Sequence, residues 1–483
     1  MVQHLQGKYF TPKFLCCWSM AWAVGLMAIA PVVNTVTPFL NDSYNSHWTP
    51  DILYRLNMYW HGGLFLPWVI VLLAVIYSRV GLDRLGGFLG KLLRVFLFGF
   101  GILAAPLAGI GGMFNVTDKF AFGIPHLLEY PAFAVLDLIS ITLIISLLLY
   151  PRFSGRGYKS LGIPYYVLLL CVIGAFIAAM LGYFAAYITV SGPSPPIFAH
   201  YINSTMYPVL GYYNSTSVVT FAQDAVTSHS HAMLPIIMAG IVVLVAMSYG
   251  HSRWSRAEKA ASTTGFLIMA GAIFGTLWVY LSSGVGNYTI PTLFASGPNG
   301  IAEDDIITGL VGAGALFVLA ALLSFSRRTR TEGGTILARD PLFLSTIASW
   351  VLIYLVIPVN GFYIELHESY YGAAGAAFDA AYTRFHQDFA FFALPALVTT
   401  VLVLELYNMP SRARKIVGYL YLSGQVLAYV AGETYSIFTL NPVALALAVF
   451  GGAVMMAGVV VGLRYIRKAG PAATLDRAEL TSP

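Results

Sequence analysis

Long apolar runs recur along the whole chain, and short segments rich in glycine, proline and charged residues separate them. A helix needs about 20 apolar residues to cross the hydrocarbon core of a bilayer. Because each run approaches that length, the pattern predicts an all-α, polytopic membrane helix bundle of about twelve transmembrane helices. The predicted spans are 14–32, 58–78, 92–112, 130–150, 161–190, 228–249, 262–284, 306–326, 342–361, 384–406, 415–437 and 441–464.

Composition favours one membrane domain. Hydrophobic residues make up 58% of the chain and charged residues 10%, whereas a soluble domain carries about 25% charged residues. We therefore expect residues 1–483 to form a single integral membrane domain, with 465–483 as a cytoplasmic C-terminal tail. Cys16, Cys17 and Cys171 all lie in apolar runs and indicate neither a disulfide framework nor a cysteine metal site.

Basic residues predict the orientation. With both termini in the cytoplasm, only Arg55, Lys119 and Arg384 of the 26 lysines and arginines fall outside, as the positive-inside rule requires of a multi-pass plasma-membrane protein. The net charge of +5 then reflects contact with an anionic inner leaflet, and nothing indicates a nucleic-acid partner. Five sequons lie in predicted outer loops and indicate either glycosylation or ordinary loop composition: Asn41, Asn115, Asn203, Asn214 and Asn287.

Histidines are the candidate chemistry. Imidazole is a common ligand of metals and of haem iron, and polar groups at membrane depth are usually functional or paired. We expect His4 and His251, in inner polar segments, to be solvated. The informative histidines lie at or near predicted outer ends of spans: His61, His126, His229, His231, His367 and His386.

Three of these histidines repeat a local pattern. His61 opens His-Gly-Gly-Leu-Phe-Leu-Pro, His231 opens His-Ala-Met-Leu-Pro, and His386 opens a longer run that ends at Pro395. They begin the second, sixth and tenth helices, which suggests a weak internal triplication with one imidazole at the same depth in each repeat. Helices packed around a shared axis would direct these side chains into the bundle interior, where cofactors bind.

Two such imidazoles suffice for a haem. His61 and His386 are the candidate axial ligands, and the nearby Arg55 and Arg384 are candidates to neutralise the propionates. The alternative is a set of interfacial histidines that bond to backbone carbonyls at helix starts.

Twelve helices with outer-side histidines on the second, sixth and tenth resemble subunit I of the haem-copper oxidase and nitric-oxide reductase superfamily. The resemblance implies a pseudo-threefold arrangement of the helices and a low-spin haem, b-type or related, held by His61 and His386. It also assigns His231 or His229 to a copper or non-haem iron site.

The sequence also departs from the family pattern. Where the tenth helix of the family carries His-x-His, this chain has Arg384-Phe385-His386, and the predicted seventh helix lacks the paired histidines. The usual copper site is therefore not expected. The family's glutamate after the sixth-helix histidine and its eighth-helix lysine are also missing. His126 with His229, His231 or His367 is a candidate second haem or metal site; interfacial histidines and outright loss of the second site remain alternatives.

Asp137, Glu405 and Glu433 fall inside predicted spans. They indicate a proton relay or, as we favour, neutral acids bonded to neighbouring helices.

Three functions follow as expectations. The first is a haem-binding subunit of a respiratory electron-transfer complex, with companion subunits and with quinol or an extracytoplasmic carrier as electron partner. The second is an oxidoreductase, an active terminal oxidase or nitric-oxide reductase with a rearranged binuclear site. The third is a cofactor-free twelve-helix transporter.

Overall fold

The computed structural model describes residues 11–40, 65–115, 124–155, 158, 161–191, 236–286, 303–331, 334–356, 359, 393–407, 409–435 and 441–468. Within these ranges the chain is helical apart from short turns and one isolated bridge between Arg330 and Ile336. The helices are α1 (Pro12–Leu40), α2 (Leu66–Val80), α3 (Gly87–Arg94, continued by the π-helical Val95–Phe100 and by Gly101–Asn115), α4 (Ile124–Phe153), α5 (Ile163–Ser191), α6 (Ile236–Ser248), α7 (Arg256–Gly286), α8 (Glu303–Arg328), α9 (Pro341–Val351, continued by the π-helical Leu352–Val356), α10 (Leu394–Leu406), α11 (Ser411–Glu433) and α12 (Pro442–Lys468).

Every predicted span overlaps one of these helices. In the described part of the chain, five segments are long and apolar enough to cross a membrane: Gly87–Ile110, Pro131–Phe153, Ile163–Met180, Gly309–Arg328 and Pro442–Lys468. The chain is thus an all-α membrane protein. The number of crossings and the extent of the domain and its tail stay predictions.

Nine of the helices form a closed outer ring. Each contacts the next in the order α1, α3, α4, α5, α7, α8, α9, α11 and α12, and α12 contacts α1 again. The remaining three, α2, α6 and α10, we call the inner helices. They are buried on all sides: in α2 only Ser78 and Arg79 are partly exposed, and in α6 only Ile237. Apolar residues cover almost the whole circumference of these helices, as in a helix that other helices or lipid surround.

Close helix packing in the ring depends on small residues. Gly265 of α7 and Gly314 of α8 face each other, and a Cβ on Gly265 would lie 2.3 Å from the Gly314 carbonyl oxygen. Such an approach replaces side-chain contacts with backbone contacts, as is common between membrane helices. In α3, Pro106 cannot donate a backbone hydrogen bond to Ile102, and the indole Nε1 of Trp18 in α1 donates to that carbonyl at 2.9 Å.

Polar contacts gather several helix ends on one face. The start of α7 is a capping box, in which the Ser255 amide donates to Glu258 at 2.7 Å and the Glu258 amide donates to the Ser255 hydroxyl at 3.3 Å. Glu258 also pairs with Arg328 at the end of α8. Burial alone would raise the pKa of Glu258, but hydrogen bonds from Arg328, Ser255 and Ser324 lower it to about 2. The charge pattern predicts that this face is cytoplasmic.

Candidate functional site

Most of the predicted ligands lie outside the described residues. This applies to His61, His386, Arg55, Arg384, His229 and His231. His126 falls in the first turn of α4, where the structure describes the backbone course alone. The haem site and the second metal site therefore stay predictions, and the structure bears on the helices that follow these residues.

The inner helices are the ones that follow the three repeated histidines. His61 precedes Leu66 by five residues, His231 precedes Ile236 by five, and His386 precedes Leu394 by eight. Among the twelve described helices, the three that follow the repeated histidines are thus the three that are buried on all sides.

Helices α6 and α10 run in the same direction, and α2 lies beside α10. Helix α2 contacts α10 directly. At the end of α6 the hydroxyl of Tyr249 donates to Glu405 Oε1, at the end of α10, at 3.3 Å. Lys13, at the start of α1, lies 5.9 Å from the ring of Tyr407, just beyond α10. Because these ends share one face, the starts of α6 and α10 point to the opposite one.

Two buried indole groups lie close to the inner helices, one in α2 and one in the ring helix α9. Trp68 in α2 is 7% exposed, and its Nε1 has no hydrogen-bond acceptor within the described residues. The Nε1 of Trp350 in α9 is likewise buried without a hydrogen-bond acceptor within the described residues. The ring of Trp350 lies 5.4 Å from the ring of Tyr354 in a tilted arrangement, and the Tyr354 hydroxyl donates to the Met238 carbonyl of α6 at 2.6 Å. A buried donor without an acceptor costs free energy unless another group supplies one.

The most highly charged contact joins an inner helix to the ring. Arg414 at the start of α11 donates to both carboxylate oxygens of Glu405, at 2.8 and 2.9 Å, and to Asp340 Oδ2 at 2.5 Å. Asp340 in turn caps α9 by accepting from the Leu342 amide at 3.1 Å. Burial works to lower the pKa of Arg414, but the carboxylates of Glu405 and Asp340 outweigh it and hold that pKa above its usual value.

This ion pair corrects the interpretation of Glu405. Sequence reasoning favoured a neutral acid, whereas the structure gives Glu405 an arginine partner nine residues later in the chain. The partner was missed because Arg414 was assigned to the solvated cytoplasmic loop. Sequence reasoning did not identify Asp340. Its signal in the sequence is the dipeptide Asp340-Pro341, because aspartate often caps the start of a helix and proline often occupies the first helical position.

Two other polar positions depart from expectation or stay open. His251 is partly buried, so the prediction that it is solvated is wrong: its Nε2 lies 3.1 Å from the Ser262 hydroxyl and its ring packs against Trp254 and Phe266. Burial, with a smaller contribution from Lys259, lowers its pKa to about 4. Asp137 in α4 is 8% exposed, and its Oδ1 has no partner among the residues that the structure describes.

No group of three or more histidine, cysteine, aspartate or glutamate side chains in the described segments is arranged to hold a metal ion. No protein-family model matches the sequence, and comparison with curated proteins returns no match.

Proposed function

We propose that the chain is a haem-binding membrane subunit of a respiratory electron-transfer complex. In this proposal it resembles subunit I of the haem-copper oxidase and nitric-oxide reductase superfamily, and His61 and His386 hold a low-spin haem. The observation that carries the proposal is the correspondence between the histidine repeat and burial. The three helices that follow His61, His231 and His386 are the three buried on all sides, within a ring of nine others.

The contact between α2 and α10 supports the choice of ligands. Bis-histidine ligation needs imidazoles from two neighbouring helices at a similar depth. Helix α2 packs against α10, and the residues just before these two helices include His61 and His386. Two adjacent helices, each preceded in the sequence by a histidine, support His61 and His386 as the proposed pair of ligands.

The surroundings also suit a porphyrin. The described parts of α2 and α10 are apolar, so they offer the dry environment that a haem ring prefers. The Trp68 indole is buried without an acceptor in the described part of the chain, and a haem propionate would supply one. Arg55 and Arg384 are the proposed partners for the propionate charges.

When bound, the haem supplies a one-electron carrier. The residues of the chain would orient it through two imidazoles, exclude water with the apolar faces of the inner helices, and compensate the propionates with arginines. Further subunits would bring electrons from quinol or from an extracytoplasmic carrier. Arg384 stands where the family has its high-spin haem ligand, so the proposed subunit lacks the usual binuclear centre. His126, His229 and His231 remain candidates for a second haem or metal.

Optical spectroscopy of the purified protein in detergent tests this proposal. We expect a reduced-minus-oxidised spectrum of six-coordinate b-type haem, which His61→Ala and His386→Ala each abolish. His251→Gln is the matched control, because His251 lies on the opposite face of the bundle, and it should retain the spectrum. Size-exclusion elution verifies that each variant is folded.

Three outcomes would overturn the proposal or change its terms. A folded but colourless wild-type protein would contradict haem binding and favour the transporter. A spectrum that survives both alanine substitutions would refute the assigned ligands. Carbon-monoxide binding with a tightly held second metal would replace the electron-transfer subunit with an active reductase.

A further inference from the structure

A second site lies on the face opposite the proposed haem. Where α6, α8 and α10 end and α9 and α11 begin, a cavity of about 540 Å³ opens. Binding sites for small molecules typically measure about 300–1,000 Å³, so this cavity is large enough for one. Its lining combines basic side chains, namely Arg253, Arg330, Arg414 and Lys415, with the hydroxyl groups of Thr329, Thr331, Thr335 and Ser411.

The charge of the cavity is positive. Among the described residues that line it, the two acidic side chains, Asp340 and Glu405, are both engaged by Arg414. The other three cations form no ion pair within the described residues. Arg330 donates to the Gly334 carbonyl at 2.8 Å, and the guanidinium of Arg253 lies 5.8 Å from the Phe325 ring centroid. Neither contact neutralises the positive charge.

The start of α11 adds backbone donors to the same wall. Pro410 and Ser411 line the cavity, and no side chain caps this 23-residue helix. The first amides of a helix have no acceptor inside it, and they carry the positive end of the helix dipole. Helix α9 also begins at the cavity, but there the Asp340 side chain caps the first turn. The open donors therefore belong to α11, beside Lys415.

We propose that this cavity binds a phosphate-bearing anion, either as a free phosphorylated compound or as the headgroup of an anionic lipid. Arginine forks, a lysine, hydroxyl groups and uncapped helix amides are the groups that recognise phosphate oxygens. The charge pattern assigns the cavity to the cytoplasmic face, which both sources can reach and where the leaflet is anionic. The proposal is independent of haem binding, because the site lies at the other ends of α6 and α10.

Binding measurements on the purified full chain test this proposal. Inorganic pyrophosphate is the soluble probe, and a short-chain phosphatidic acid is the lipid probe, with phosphatidylcholine as its zwitterionic reference of zero net charge. We expect saturable binding of at least one anionic probe. The double variant Arg330→Gln/Lys415→Gln should weaken it by about tenfold or more, since each lost charged hydrogen bond costs about that factor. Both side chains are exposed, so the thermal stability should stay unchanged.

The matched control is Lys91→Gln/Arg152→Gln. It removes two exposed positive charges from segments predicted on the same face but outside the cavity lining. It should leave binding unchanged. Pyrophosphate binding would identify a free phosphorylated ligand, and binding of phosphatidic acid alone would identify a lipid headgroup. Absence of saturable binding to both probes would overturn the proposal, as would equal weakening in the two double variants.

Discussion

Helices α10 and α12 are both apolar, but they have different neighbours. In α10 all residues from Leu394 to Leu404 are buried by protein, whereas in α12 the side chains of Val449 and Phe450 are 64% and 59% exposed. Hydropathy predicts both of them as membrane helices, because lipid and protein interior are equally apolar. The two helices differ in the residues before them: His386, a member of the histidine repeat, precedes α10, which other helices surround. The apolar runs of these two helices are alike, so the repeated histidine is the sequence feature that distinguishes α10 from α12.

The largest effect should come from breaking the ion pair that joins α10 to the ring. Arg414→Gln leaves the carboxylates of Glu405 and Asp340 without a cation, and loss of one partner of a buried pair costs about 3–5 kcal/mol. We expect a clearly lower thermal unfolding midpoint in detergent. Arg414→Lys, which keeps the charge but loses the two-pronged geometry, should be intermediate. Arg412→Gln, at an exposed position two residues away, is the control. Equal effects of Arg412→Gln and Arg414→Gln would contradict this account.

Matched truncations test the contrast between the two helices directly. Leu402 in α10 is 1% exposed and Leu447 in α12 is 45% exposed. Leu402→Ala should destabilise the protein by about 2–5 kcal/mol because a cavity remains. Leu447→Ala should change stability by no more than about 0.5 kcal/mol, since lipid fills the space. Unfolding midpoints of the two variants give the comparison, and a larger loss for Leu447→Ala would reverse the assignment of inner and outer helices.

The pH dependence of stability tests the burial of His251. Its pKa is about 4 in the folded protein, against an ordinary value of 6.5. Between these values the unfolded chain binds the proton and the folded chain does not, so stability falls as the pH drops from 6.5 to about 4. Above pH 6.5 this contribution is constant. His251→Phe should lose less stability than the wild type over that interval, as measured by thermal unfolding at each pH. Parallel curves would contradict the buried, neutral imidazole.

The smallest expected effect concerns Trp68. If its indole donates to a haem propionate, Trp68→Phe leaves that negative charge less compensated and disfavours the reduced haem. The midpoint potential should then fall by about 20–60 mV, corresponding to a hydrogen bond of about 0.5–1.5 kcal/mol. Potentiometric titration measures this shift. Trp18→Phe, whose indole bonds to the Ile102 carbonyl, should leave the potential unchanged.

Apolar runs predicted the approximate place of the twelve helices that the structure describes, but local hydrogen bonds set where several of them begin and end. Helix α7 begins at Arg256, six residues before the predicted span, because the Ser255–Glu258 capping box extends it into polar sequence. The contact of Arg414 with Asp340 joins residues 74 positions apart and could not be read from spacing. Glu405 and Arg414 are nine residues apart, and the turn that brings them together lies at Met409-Pro410, where hydropathy gives no signal of pairing.

The central claim is that His61, which precedes α2, and His386, which precedes α10, hold a porphyrin between them. A cryo-electron microscopy map of the purified protein tests it most directly. The account predicts flat density at the starts of these two inner helices, with connections to residues 61 and 386 on its two sides. If side chains fill the space between these two positions and no such density is present, the account is contradicted. Only the helical architecture would then stand.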